Sequence, residues 1–330
     1  VATDGETSAE PAFADGDFEI GPDYAPAAET VVRPGVPAGT VRAFTLESRD
    51  SRIYPGIKRL DNEITRRRDA FGNRIAAEDH EQSVAAPYTR TVWVYTPRQY
   101  APGAAAPFMV VQDGYMYLNR LPRVLDNLIA DGRAPVMIAI LIDSGGGDAQ
   151  GSQRGLEYDT LSGTYSDFIE AEVLPRVIAE TGVTLTSDPE GRATMGVSSG
   201  AACAFTMAWF HPERYRRVLS YSGTYVNQQS PPNPASPRGA WEYHAALIPA
   251  AARKPLRIWL EVGEADLHAD DPEETWHNWP LANRRMAAAL AAKGYPYRFT
   301  LSLGGRHADP RVLEQTLPSA LEWLWQTYPR

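Results

Sequence analysis

The chain has 330 residues, a length that buries a sizeable core without help from disulfides or metal. It carries 41 acidic against 32 basic residues, and the resulting net charge of −9 argues against nucleic acid as a partner, because that binding rests on neutralising phosphates. Its one cysteine, Cys203, rules out an intrachain disulfide and a cysteine-built zinc site, and no apolar run approaches the ~18 residues of a membrane span.

Residues 1–36 are rich in Ala, Pro, Asp and Glu and lack periodicity; they read as an extended or disordered leader, partly wrapped over the domain. The chain opens on Val1 rather than Met. That fits removal of an export signal and a periplasmic or secreted location, or a trimmed cytoplasmic chain. One domain is expected over 37–330. Its front, about 40–97, holds the alternating runs Thr40–Leu46 and Thr91–Tyr95, which predict antiparallel edge strands. The basic run Arg66-Arg67-Arg68 between them reads as a solvated loop or hairpin tip.

From Pro107 onward strands and helices alternate. Short apolar runs at Pro107–Val111 and Pro135–Ile142 predict strands covered on both faces. Further strands are expected at Ala193–Met195, Val218–Tyr221, Leu256–Val262 and Tyr297–Leu301. Helical patterns occupy 117–129, 165–180, 201–210, 276–293 and 312–326. The alternation predicts an α/β fold: a mostly parallel central sheet with helices on both faces. Ligands of such sheets bind beyond the carboxyl ends of the strands, so catalytic groups belong just after a strand.

Gly196-Val197-Ser198-Ser199-Gly200 fits G-x-S-x-G and lies between an apolar strand and a small-residue helix. In that setting a strained turn lifts a serine hydroxyl above the sheet, and glycines avoid collision with the adjoining strand and helix. Ser198 is therefore the expected nucleophile. The helix that follows brings its positive end and free N–H groups beside it, with Ser199 contributing its backbone N–H.

The motif has company: Val111-Gln112-Asp113-Gly114-Tyr115, Arg154-Gly155-Leu156-Glu157-Tyr158, His211-Pro212-Glu213, Leu219-Ser220-Tyr221-Ser222-Gly223 and Gly304-Gly305-Arg306-His307. With these pieces, the chain from about residue 91 to its end resembles the putative-esterase family. That family includes enterochelin esterases, esterase D, feruloyl and acetyl xylan esterases, and mycolyltransferases. The Arg-x-x-Glu-Tyr and Gln-Asp-Gly pieces are most similar to the enterochelin-esterase branch. The resemblance implies the α/β-hydrolase fold and hydrolysis of a carboxylic ester through an acyl-enzyme, with no cofactor and no metal. It also implies Tyr115 as the second backbone donor of an oxyanion hole, beside Ser199. The implied partner is a small-molecule or carbohydrate ester, such as a siderophore-type ester or an acyl or feruloyl sugar. Rival readings are an acyltransferase of the same fold and a catalytically silent binding protein.

A serine hydroxyl needs a base to take its proton. The chain order of this fold, nucleophile then acid then histidine, excludes His80, and His211 ends the elbow helix too far along its axis. His307, in a glycine-rich loop after the last strand, is the expected base. His244, His268 and His277 read as polar loop surface. The acid belongs after the strand 256–262, where Glu264, Asp266, Asp270 and Asp271 compete. The resemblance favours Asp266, and Asp270 and Asp271 suit a helix cap before Pro272. Arg154 and Glu157 either contact substrate or pair with each other. Tyr225, Trp241 and Trp276 are candidate aromatic walls of the pocket, with core packing as the alternative. The proline-rich segment 228–239 reads as a semi-rigid rim loop. Oligomeric state has no signature.

Overall fold

The computed structural model describes residues 14–61, 66–70, 72, 83–145, 152–229 and 232–329. Its sheet strands are β1 (Gly16–Ile20), β2 (Thr40–Glu47), β3 (Thr89–Thr96), β4 (Phe108–Gln112), β5 (Ile138–Ile142), β6 (Arg192–Val197), β7 (Arg217–Tyr221), β8 (Arg257–Ala265) and β9 (Tyr297–Arg306). They form one nine-stranded sheet in the order β1-β9-β8-β7-β6-β4-β5-β3-β2. Neighbours from β1 across to β5 run parallel, and β3 pairs antiparallel with both β5 and β2. Every residue of β4, β5, β6 and β7 is buried, which is why Phe108–Val111 and Ile138–Ile142 read as continuously apolar rather than alternating.

The main helices are α1 (Leu121–Ala130), α2 (Gln153–Tyr158), α3 (Thr164–Phe168 continuing through a π turn at Ile169–Val173 into Leu174–Thr181), α4 (Ser199–Phe210), α5 (Trp279–Ala292) and α6 (Pro310–Trp325). One face of the sheet packs against α3, α4 and α5, the other against α1 and α6. Helix α4 is buried on all sides from Ser199 to Trp209, so its sequence is small in the first turns and mostly apolar after them, without an amphipathic stripe. Helix α5 starts later than its periodicity suggests. Trp276 has φ +54°, and Asn278 caps the helix by accepting from Leu281 N–H. Among the described residues no helix is long and apolar enough to cross a membrane.

Residues 14–36, expected to be leader, are built into the domain. β1 extends the sheet beside β9, with the Arg298 guanidinium 3.7 Å from the Phe18 ring centroid. The chain then crosses β9 and α6, where Tyr24 donates to Leu303 O at 2.6 Å and Ala25 N–H to Gln315 Oε1 at 3.0 Å. It ends against α1, whose buried Asn127 donates to the carbonyls of Glu29 and Val31. Composition hid this strand, because an edge strand with one exposed face needs only Phe18 and Ile20 to anchor it. In the front segment, Arg66 forms an exposed pair with Asp61.

Candidate active site

The elbow is shaped by close packing. Ser198 lies between β6 and α4 with φ +58° and ψ −128°, a strained conformation for a residue with a side chain. A Cβ on Gly196 would sit 2.3 Å from the Gly200 backbone, and one on Gly200 would press on Gln112 and Asp113 at 3.1 and 3.2 Å. The turn is held by Ser198 N–H donating to Tyr221 O at 3.0 Å.

Loops after β8 and β9 bring two more groups to this hydroxyl. His307 Nε2 is 2.9 Å from Ser198 Oγ, and its Nδ1 is 2.5 Å from Asp266 Oδ1. The Asp266 side chain is fully buried and also accepts from Leu267 N–H at 2.6 Å, whereas His307 stays partly open to solvent. The His307 ring stands nearly perpendicular to that of Trp279, with centroids 6.0 Å apart. The competing acids point elsewhere. Glu264 is exposed and accepts from Gly304 N–H, Asp271 pairs with His268, and Asp270 is exposed. Asp271 therefore caps no helix: Pro272 precedes the short turn Glu273–Thr275, and the cap of α5 is Asn278. The other described histidines make their contacts elsewhere. His211 pairs with Glu213, and His277 contacts Asn227 O. His244, expected at the surface, is buried against Trp241, and burial pushes its pKa down to about 3.

Behind Ser198 lies a polar layer that the sequence did not arrange. Asp113, at φ +51°, ends β4 and receives the Arg154 guanidinium at 2.7 and 3.3 Å; its own N–H donates to Tyr158 Oη. Of the two alternatives for Arg154 and Glu157, the mutual pair does not form: Arg154 is bound to Asp113 and Glu157 to Arg90. Glu157 is buried, bound to Arg90 at 2.6 and 2.8 Å and to Tyr88 and Gln153. Neither it nor the buried Tyr225 and Trp241 has surface to offer a substrate; Tyr225 donates to Ser220, and both aromatics belong to the core. Arg154 and Trp276 keep partial exposure. The rim loop is tied down through Gln229, which accepts from Leu161 N–H and Ser236; residues 230 and 231 of it lie outside the described residues.

Tyr115 is exposed, and its N–H donates to the Asp143 carboxylate at 3.2 Å, so the expected second oxyanion donor already has an acceptor. Burial raises the pKa of Asp143. Beside Ser199, Gln228 donates to its Oγ at 3.2 Å, and buried Asp159 lies against both. Burial pushes Asp159 up to about 7, against the opposing pull of Arg154. The sequence reading passed over Asp143, Asp159, Ser222 and Thr224. Only Ser222 carried a signal, inside the quoted run from Leu219 to Gly223.

Comparison with known proteins agrees with this architecture. The family model described as "Putative esterase" matches residues 83–320. Among solved structures, the enterobactin esterase of Shigella flexneri aligns with a TM-score of 0.54 at 24% identity, covering 72% of this chain and 56% of that one. The ferric enterobactin esterase of Salmonella typhimurium gives 0.56 at 24% identity, over 72% and 55% of the two chains. A ferulic acid esterase from Anaeromyces mucronatus gives 0.54 at 14% identity, over 92% and 96%. The chain thus spans little more than half of each enterobactin esterase. At these identities the likeness establishes the α/β-hydrolase fold. No curated protein sequence matches.

Proposed function

The chain belongs to the putative-esterase family, and from that premise we propose that it hydrolyses carboxylic esters with Ser198 as nucleophile, His307 as base and Asp266 as the acid that orients it. The observation that carries the reading is the continuous hydrogen-bonded path from Asp266 through His307 to Ser198 Oγ, with steps of 2.5 and 2.9 Å. Asp266 is buried and accepts from Nδ1, which leaves the bare Nε2 lone pair facing the serine hydroxyl. As Oγ bonds to the acyl carbon, its proton passes to Nε2, and the histidine then delivers that proton to the leaving alcohol. Water, activated by the same nitrogen, frees the acyl group. Ser199 N–H, at the amino end of α4, supplies one donor for the carbonyl oxygen. Tyr115 N–H supplies the second once the substrate oxygen replaces Asp143 as its acceptor.

The names of the structural neighbours suggest two substrate classes to try first: siderophore-type esters, and feruloyl or other acyl sugars. The test is a fluorophosphonate probe on wild type and Ser198→Ala, followed by a panel of catecholate, feruloyl, acetyl-sugar and short-chain esters. Labelling of wild type alone, with turnover of at least one ester, is the expected result. A folded wild type that neither takes the probe nor turns over any ester would sink the proposal.

A further inference from the structure

The turn after β7 touches both halves of the proton-transfer pair. Ser222, at φ +47°, donates its N–H to Glu261 O at 2.8 Å, and its Oγ accepts from the N–H of Ala308, the residue after His307, at 3.0 Å. A Cβ on Gly223 would sit 2.3 Å from the Tyr225 ring, and the Gly223 carbonyl accepts from the buried Asn283 at 2.8 Å. Thr224, itself buried, donates its N–H to Ser198 O at 3.1 Å and places Oγ1 3.3 Å from Ser198 Oγ. Strand β8 and helix α5 thus hold this short turn, and it in turn holds the elbow and the histidine loop.

Counting protons decides what the Thr224 hydroxyl does. Ser198 Oγ has one hydrogen, and in the reactive arrangement that hydrogen points at His307 Nε2. The contact between the two hydroxyls must then be donated by Thr224 and accepted by a lone pair of Ser198 Oγ. We propose that Thr224 is a further catalytic residue, whose hydroxyl donates to the nucleophilic oxygen throughout the reaction; this rests on the reading of Ser198 and His307 given above.

In acylation the Oγ–H bond breaks, the proton goes to Nε2, Oγ bonds to the acyl carbon, and the carbonyl π pair moves onto its oxygen. Thr224 keeps its own proton. Negative charge on Oγ peaks as its proton leaves, and a hydrogen bond to a charged acceptor is stronger than one to a neutral hydroxyl. The contact therefore favours the transition state over the free enzyme, the condition for acceleration. In deacylation the Oγ–C bond breaks and Oγ recovers a proton from His307, so the same donor assists the departing oxygen.

Two variants separate donor from packing. Thr224→Val keeps the branched shape and removes the hydroxyl, whereas Thr224→Ser keeps the hydroxyl and removes the methyl. With p-nitrophenyl acetate, Thr224→Val is expected to lower kcat about tenfold with KM within about twofold, and to slow fluorophosphonate labelling to match. Thr224→Ser should stay within about threefold of wild type on both readouts. If Thr224→Val does not fold, judged by thermal melting, Thr224→Ala against Thr224→Ser makes the same comparison. Wild-type rates in Thr224→Val overturn the proposal, as do equal losses in the valine and serine variants, which would assign Thr224 to packing. Turnover retained by Ser198→Ala would remove the serine reading and this one together. An inactive Ser198→Ala beside a fully active Thr224→Val would remove this one alone.

Discussion

At the carboxyl ends of its strands the sheet collects six non-glycine residues with positive φ, Asp113, Ser198, Ser222, His268, Trp276 and Ala308. At the amino ends of β6 to β9 it sets Arg192, Arg217, Arg257 and Arg298, of which Arg217 and Arg257 are direct neighbours in register. Each of these arginines lies over an aromatic ring, with Arg257 3.7 Å from the centroid of Trp323 and Arg192 4.7 Å from that of Tyr215. Arg257 and Arg217 also donate to the carbonyls of Trp323 and Leu324 at 3.0 and 2.5 Å, closing the carboxyl end of α6, where a helix most favours positive charge. Burial lowers the pKa of both, that of Arg257 to about 10. One rim thus holds backbone in conformations that cost about 1–3 kcal/mol each, and at Asp113, Ser198 and Ser222 they aim a carboxyl and two hydroxyls. The other satisfies helix carbonyls and covers aromatic surface. Changes at the first rim should cost activity, and changes at the second should cost stability.

The strongest way to break this comparison is at the nucleophile. Ser198→Ala is expected to lower kcat/KM about 10⁴-fold or more while melting no lower than wild type, and adding His307→Ala should cost little further. Ester turnover and thermal melting on the same samples check both halves. At the opposite rim, Arg217→Met leaves Leu324 O without its donor and should destabilise the protein by about 2–3 kcal/mol. Its kcat/KM, measured well below the melting range, should stay within about twofold of wild type. A large loss of turnover without destabilisation would mean that the rims are not separate in function.

Glu261 sharpens the contrast through pH. It is buried on β8 and accepts from Ser302 at 2.6 Å; burial pushes its pKa up to about 8, with Asp266 and Asp309 adding repulsion. A carboxyl whose folded pKa is raised binds its proton more tightly in the native state. Its contribution to stability is therefore fully present below the ordinary carboxylate range and falls as pH rises towards 8. Glu261→Gln should flatten that decline, gaining at least about 1 kcal/mol on wild type between pH 5 and 9 in denaturant titrations. An unchanged pH dependence would show that Glu261 is ionised at neutral pH. The smallest effect is expected at an exposed ion pair. Arg33 and Asp131 pair at 2.7 Å in partly exposed surroundings, and Arg33→Ala should change stability by about 0.5 kcal/mol or less, with activity untouched.

What the sequence determined by itself was local. The turn around Ser198 is legible because the close approach of Gly196 to the Gly200 backbone, four residues on, dictates glycine at 196, although glycine at 200 answers to Gln112 and Asp113 on the neighbouring strand end. The strands β4 and β5 are legible because two-sided burial leaves them apolar from Phe108 to Val111 and from Ile138 to Ile142. The order of serine, acid and histidine is a property of the chain as well. Tertiary structure decided everything that depends on where a side chain points after the chain has turned. It turned Asp266 towards His307 and Glu264 towards Gly304, a choice set by how β8 ends. It gave Arg154 to Asp113 and Glu157 to Arg90, although the two residues share one helical turn. It recruited residues 16–20 as the ninth strand, and it seated Tyr225 and Trp241 in the core rather than in the pocket. Spacing along a chain measures reach, but partners are set by register and by the direction in which each Cβ leaves its element. That is why the turn that carries Ser198 could be read directly, while its setting, from the Asp143 carboxylate on Tyr115 to the Thr224 hydroxyl beside Ser198, emerged only with the fold.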